Sequence, residues 1–430
     1  MDVVPPEILL HIFKYIDGPA PSDVRLHDEP SIDLLANKAG RPTPYLKTAS
    51  LVSRFWRSLI MPRLFRHILW KPRVYSLSAF TLNPLPLLRF LTENHLAHNV
   101  MTFTLAIDFY DPVPIFDQVA PRIRSVDLEW LWDQLFSVID PLRFTILARP
   151  TTLASLLSCM LYLNDAGSFD IPYHILSISR TTRQSSTKSD RPSINTSSDI
   201  QPATPSILPT SRRLASSSTS IPRAVASCPL FTVRPWTSLL LNEGSFDKVY
   251  LMDEFYLRRP PSILGALLGC EEYPNNVSLI PRTMVDFNYI AIFPLSSHFS
   301  ILLEHLPRID RLFVQLTPKP ESSILENSDE MKHIDLSELW HQRETSYTGL
   351  IRQLKLSATS RTNWRLLRVF ESGDVVDSKA WEMDVQFFER TETTEWKVER
   401  PGVFTKHTND QSLGCSGEVN GHIGGLSNAF

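Results

Sequence analysis

His95 and His98 stand three residues apart, a spacing that brings two imidazoles to one side of a helix, where they could share a metal ion. They belong to no H-E-x-x-H or cysteine-containing zinc pattern, so solvent-facing or capping roles are expected of them. The adjacent acids Asp253-Glu254 and Glu271-Glu272 point apart in either a helix or a strand, which leaves no natural acid–base pair. Cys159, Cys228, Cys270 and Cys415 include no C-x-x-C pair and are too scattered for a disulfide framework or a zinc site. Phosphate-cradling glycine loops, the G-x-S-x-G elbow and the H-R-D and D-F-G runs are missing from the sequence. With 14 Gly against 33 Pro, close backbone approach to a nucleotide is disfavoured as well. The expectation is a non-catalytic protein with no cofactor, no metal and no catalytic residue.

Composition narrows the partners. The 430 residues carry a net charge of −3, too small a bias for a polyanion-binding protein as a whole. The longest apolar run, around Leu153 to Leu163, falls well short of the roughly 18 residues that cross a bilayer. The Gly265-x-x-x-Gly269 spacing sits in an equally short apolar stretch and suggests close helix packing rather than membrane dimerisation. The start, Met1-Asp2-Val3-Val4-Pro5-Pro6-Glu7, lacks the basic and apolar regions of a signal peptide. A reducing compartment, the cytoplasm and/or the nucleus, is expected.

The most informative elements lie at the N-terminus. In Pro5 to Ile16, apolar residues at 8, 9, 12, 13 and 16 fall on one helical face. Proline suits the first turn, and Glu7 meets the positive end of the helix dipole. A second amphipathic stretch from Leu46 to Ile60 places 49, 52, 56, 59 and 60 on one face, and Pro62 to Ile68 follows. Between them Asp17 to Tyr45 holds five prolines and reads as an inserted surface loop, with a short helix possible around Ile32 to Ala39. Helices this short cannot enclose a core, so their apolar surface must be buried against the chain or a partner.

These segments resemble the F-box family. Val4-Pro5-Pro6-Glu7-Ile8 is similar to its Leu-Pro-x-Glu-[Ile/Leu] opening, with Val for Leu. Ser50 to Leu59 is similar to its Ser-Leu-Val-x-[Arg/Lys]-x-Trp-Arg-x-Leu middle, and Pro62 to Ile68 to its Pro-x-Leu-[Trp/Phe]-Arg-x-Ile exit. The family usually joins the first helix to the next through a few residues, so the insertion is a departure. The resemblance implies an adaptor that binds Skp1, and through it a cullin–RING ubiquitin ligase, while the rest of the chain captures a protein substrate. It also implies that Pro5, Ile8, Leu9, Ile12, Phe13, Leu51, Val52, Trp56 and Leu59 form the Skp1-facing or F-box core surface. The rivals are a helical hairpin buried in its own domain, a scaffold acting outside a ubiquitin ligase, and a nucleic-acid-binding segment at 46–73. The last has seven Lys/Arg and no acid, but it carries Phe55, Trp56, Leu64 and Phe65 in a density that phosphate tracking does not need.

The remainder reads as mixed α/β. A strand at Leu312, Val314 and Leu316 follows a helix from Ser296 to His305, with weaker strands at Val100 to Phe109, Leu142 to Leu147 and Val249 to Phe255. Their spacing is irregular, so the expectation is a degenerate, leucine-rich-repeat-like stack. Trp364 to Lys406 turns strand-rich and could pair as antiparallel sheet. Ser179 to Ser227 contains 14 Ser, 7 Thr and 5 Pro and no aromatic residue, which predicts a disordered linker, open to phosphorylation. The expected organisation is an F-box over 1–70 with the inserted loop 17–45, a recognition domain in two parts at 71–178 and 228–400, the linker 179–227, and a flexible tail 401–430.

Overall fold

The computed structural model describes residues 4–35, 43–73, 82–109, 123, 125–159, 161, 173–183, 228–251, 260–270, 276–320, 322, 324–326, 331–357, 361–374, 381–382, 385–386 and 395–406. The chain opens with four helices, α1 (Pro6–Ile16), α2 (Pro21–Val24), α3 (Thr43–Ala49) and α4 (Arg54–Leu64). Strands and helices then alternate: β1 (His67–Trp70), α5 (Leu85–Glu93), β2 (Thr102–Ile107), α6 (Ser125–Val138), β3 (Arg143–Ala148), α7 (Pro150–Leu156), β4 (His174–Ser179) and α8 (Pro229–Thr232). They continue through β5 (Ser238–Ser245), α9 (Leu264–Leu268), β6 (Asp286–Ile292), α10 (Ser296–Glu304), β7 (Arg311–Gln315), α11 (Leu336–Leu356), β8 (Val369–Ser372), β9 (Trp396–Arg400) and β10 (Val403–Lys406).

Among the described residues the strands form one ten-stranded sheet in the order β1-β2-β3-β4-β5-β6-β7-β8-β10-β9. Pairs β1-β2-β3 and β5-β6-β7-β8 are parallel, whereas β4 runs against both neighbours and β9-β10 closes the far edge as an antiparallel hairpin. From β1 to β8, neighbours in sequence are thus neighbours in space, as in a stack of strand–helix units, but β4 interrupts the parallel run and β10 lies between β8 and β9.

Alternation fixes two different faces. One ladder row places Ile68, Phe103, Phe144, Ile178, Leu239, Phe287, Leu312, Phe370 and Phe404 in register, and all nine are buried. Helices cover this face: Trp132 and Phe136 of α6 meet Phe144, and Phe299 of α10 meets Tyr289. The adjoining row points the other way and is polar, with His67, Thr102, Arg143, Ser179, Ser238 and Asp286 side by side.

The insertion covers part of that polar face, so it is no loose surface excursion. Leu26, Leu34 and Leu35 are buried in the main core. Asn242 donates to the carbonyls of Leu26 and Asp28, each at 2.8 Å, and Ser22 bonds Thr102. Lys319 pairs with Asp28, Arg143 with Asp23 and Lys71 with Asp33. The reason lies in composition: three of the four acids among Ala20–Leu35 meet Arg143, Lys319 and Lys71, the fourth, Glu29, accepts from the Ser245 amide, and three leucines fill gaps beside the sheet. Of the short helix expected at 32–39, residues 32–35 form a turn and the rest lies outside the described residues.

Other expectations shift. The strand predicted at Val249–Phe255 is instead a 3-10 turn over Asp247–Leu251 that buries Val249 and Tyr250, and residues 252–255 lie outside the description. The boundary at 70 falls at the end of β1, so the exit of the N-terminal helices is already the first strand of the sheet. Ser179 ends β4 rather than opening a linker, and Arg180 is buried against Asp140. The tail does not start at Pro401, because Val403–Lys406 form β10, with Gly402 at φ 82 in the tight turn. Residues 184–227 and 407–430 lie outside the description, as do Asp253-Glu254 and Glu271-Glu272. Gly269 is the C-cap of α9 at φ 75, and a Cβ there would meet the Ser278 nitrogen at 2.1 Å. Gly269 therefore marks a helix end under a crossing loop.

Candidate partner-docking surface

The first helices build a small unit with its own core, against the expectation that helices this short cannot enclose one, because three of them pack together. Leu9 and Phe13 of α1, Leu46 of α3 and Ile60 of α4 are buried together, with Ile16, Ala49, Trp56, Leu59 and Leu64 packed around them. Trp56 meets Phe13 edge-on, with ring centroids 5.4 Å apart. The α1 helix starts at Pro5, whose carbonyl accepts from the amides of Ile8 and Leu9. It ends at Asp17, whose almost fully buried carboxylate receives Arg63 and Arg66 from the end of α4 and the residues just beyond.

The stretch from 46 to 60 is not one helix. Ser53 leaves helical geometry at φ −156 and its hydroxyl accepts from the Trp56 amide, which caps α4. The turn between α3 and α4 therefore falls on Leu51 and Val52. Leu51 remains 77% exposed and Val52 64%. On α1 a second apolar stripe, Ile8, Ile12 and Tyr15, faces solvent at helical spacing, with Tyr15 90% exposed, and Val4 is exposed just before the helix. A helix that is apolar on two sides is stable in water only if the second side finds cover.

This sorting splits the residues expected at the surface. Ile8, Ile12, Leu51, Val52 and Pro5 are exposed, and Trp56 and Leu59 are half-buried at the edge of the small core. Leu9 and Phe13 are internal, because their i, i+4 spacing aims them at α3 and α4; they support the surface without facing outward. Val4, Tyr15 and Phe55 join the exposed set. The i, i+4, i+7 stripe of α1 signals Tyr15.

Of the seven cations in 46–73, Arg63 and Arg66 are held by Asp17 and Lys71 by Asp33. These contacts engage three of the seven cations within the chain, which weakens a phosphate-tracking role. His95 lies in a turn at φ 54 and His98 in a 3-10 turn, where the His98 carbonyl accepts from Arg183. Among the described residues no His/Cys/Asp/Glu group is arranged to hold a metal ion, and Cys159, Cys228 and Cys270 form no disulfide. No helix of the described residues is long and apolar enough to cross a membrane.

A second polar assembly lies under the helix-covered face. Glu243 of β5 accepts from Tyr289 at 2.7 Å, lies 2.9 Å from Nε2 of His298, and is also bonded by Ser262. Burial opposes its charge, but His298 and the hydrogen bonds prevail and hold the carboxyl down at about 2. Neighbouring His174 is wholly buried with both ring nitrogens unpartnered, and desolvation lowers its pKa to about 4. The cluster is sealed, so it cross-links β5, β6 and α10 rather than meeting a substrate.

Comparison with known proteins places a match on the first unit: the F-box-like family model covers residues 1–69. No curated protein and no solved structure matches the chain.

Proposed function

We propose that the chain is the substrate-recognition adaptor of a Skp1–cullin–F-box ubiquitin ligase, working in the cytoplasm or nucleus. Its F-box-like unit docks on Skp1, and the ten-stranded body presents a protein substrate to the ligase. The observation that carries this reading is the exposure of Leu51, Val52, Ile8 and Ile12 on the unit that matches the F-box-like model. Apolar groups of this size gain roughly 1.5–3 kcal/mol each when a partner removes them from water. The consecutive order of β1 to β8 supports a degenerate leucine-rich-repeat-like stack, while the reversed β4 and the β8-β10-β9 edge depart from one. The role asks no catalysis of this chain, since ubiquitin transfer belongs to the ligase.

The test is calorimetry of the full chain with purified Skp1. A one-to-one complex at micromolar concentration or tighter is expected. No heat and no co-elution at that concentration would return the exposed residues to another partner.

A further inference from the structure

Two adjoining cavities, of about 530 and 250 Å³, run between the insertion and the polar face of the sheet and share Asp23, Arg143, Ser179 and Ser238. Their floor is the polar ladder row, from His67 on β1 to Asp286 on β6. Six strands at about 4.8 Å spacing give a trough of about 24 Å, the length of about seven extended residues. The insertion supplies the other wall through Pro19, Asp23 and His27. It is a fixed wall and not a lid, because Asn242, Lys319 and the buried Leu26 hold it in place.

The charges in the trough are not equally satisfied. Arg143 is paired with Asp23, Arg66 shares Asp17 with Arg63, and Arg180 shares Asp140 with Arg234. Asp286 is half-buried and makes no side-chain hydrogen bond or ion pair with any described residue; its register neighbour Arg311 is paired with Glu371. Burial raises its carboxyl above the ordinary range. Arg311 acts on Asp286 but is itself bonded to Glu371, and Asp310 adds a second negative charge, so an arriving cation would find a carboxylate that is only partly compensated.

We propose that this trough, walled on one side by the F-box insertion, is the client-docking site and selects an extended segment that carries a lysine or arginine opposite Asp286. The proposal rests on the adaptor reading above and names the class of substrate. It gives the insertion a role in recognition and separates the client site from the exposed corner at Leu51 and Val52.

The experiment uses the full chain in complex with Skp1 and two fluorescein-labelled nine-residue Gly/Ser peptides, one with a central arginine and one with a central glutamate. Fluorescence anisotropy is expected to show the arginine peptide binding at least about tenfold tighter. Asp286→Asn should erase that preference, and Ser238→Arg, which fills the trough and supplies the cation in cis, should block the arginine peptide. Both variants should keep Skp1 binding and the wild-type melting temperature. Equal affinity for the two peptides, no measurable binding at millimolar concentration, or an unchanged preference in Asp286→Asn overturns the proposal. The same experiment on the chain alone keeps the two readings apart: a preference that persists in a chain unable to bind Skp1 supports the trough and removes the adaptor role.

Discussion

Replacing Leu51 and Val52 separates docking from folding, because both side chains stand in the capped turn between α3 and α4 and touch little of their own chain. Full burial of such side chains is worth about 1.5–3 kcal/mol each, so covering the exposed 77% and 64% contributes about 2 and about 1.5 kcal/mol. Truncating both to alanine should therefore weaken Skp1 binding by about 3 kcal/mol, or about a hundredfold. The pair Leu51→Asp and Val52→Asp adds the desolvation of two carboxylates and should abolish co-purification. Neither double variant should move the melting temperature by more than a degree or two. Phe13→Ala is the converse, since Phe13 is 1% exposed; it should cost about 3–5 kcal/mol of stability in the helical unit through the cavity it leaves. Calorimetry with Skp1 and thermal melts by circular dichroism measure the two effects on the same proteins. If the Asp pair melts as early as Phe13→Ala, the corner is internal packing and the docking argument fails. Unchanged affinity for Skp1 would refute it equally.

Three further outcomes follow from particular contacts. Asn242→Ala leaves the carbonyls of Leu26 and Asp28 without their buried donor, which should cost about 1–3 kcal/mol and speed hydrogen exchange of the amides in 20–35. Gly269→Ala places a Cβ against the Ser278 nitrogen at a left-handed φ, so a loss of at least about 2 kcal/mol is expected in urea unfolding. His174 is neutral when buried, with its pKa lowered from 6.5 to about 4, so the unfolded chain binds the extra proton; its contribution is complete above pH 6.5 and is lost as pH falls towards 4. His174→Phe should flatten the pH dependence of stability in that window, while the decline below pH 4.5 that belongs to Glu243 remains.

The helix at Pro6–Ile16, the helix at Ser296–Glu304 and the strand at Arg311–Gln315 were legible because each shows its period over several turns or pleats. The strands near 102 and 143 were legible for the same reason. What periodicity could not reveal was decided by single contacts. The break at Ser53 depends on one hydroxyl capping one amide, inside a pattern that is otherwise continuous and helical. β1 is only four residues long and looks like the end of a helical motif until β2 pairs with it. The inward and outward stripes of α1 are both apolar, so only the positions of α3 and α4 tell Leu9 from Ile8. The insertion misled most, since its prolines indicate a loop while its leucines and acids find partners as far away in sequence as Asn242 and Lys319. Long-range complementarity of that kind leaves no local signature.

Chain order gives these contacts a mechanical consequence. The helical unit leaves directly into β1 through Arg66, whose side chain holds Asp17 and whose carbonyl accepts from the amides of Met101 and Thr102. Its insertion departs from the other end of α1 and crosses to Asn242 on β5 and Lys319 just beyond β7. The unit is thus tied to the sheet at two separated places, one covalent and one through buried polar contacts. A body attached by one flexible linker samples many orientations, whereas two attachments leave only the small motions that both permit. The Leu51 corner and the trough beside Asp286 then keep a set separation. In a ligase adaptor that geometry limits which part of a bound client comes near the transferring end. Cutting the second tie with Asn242→Ala should therefore broaden the distribution of distances between spin labels placed at the exposed residues 14 and 304, which lie outside both sites, even while each site binds its own ligand.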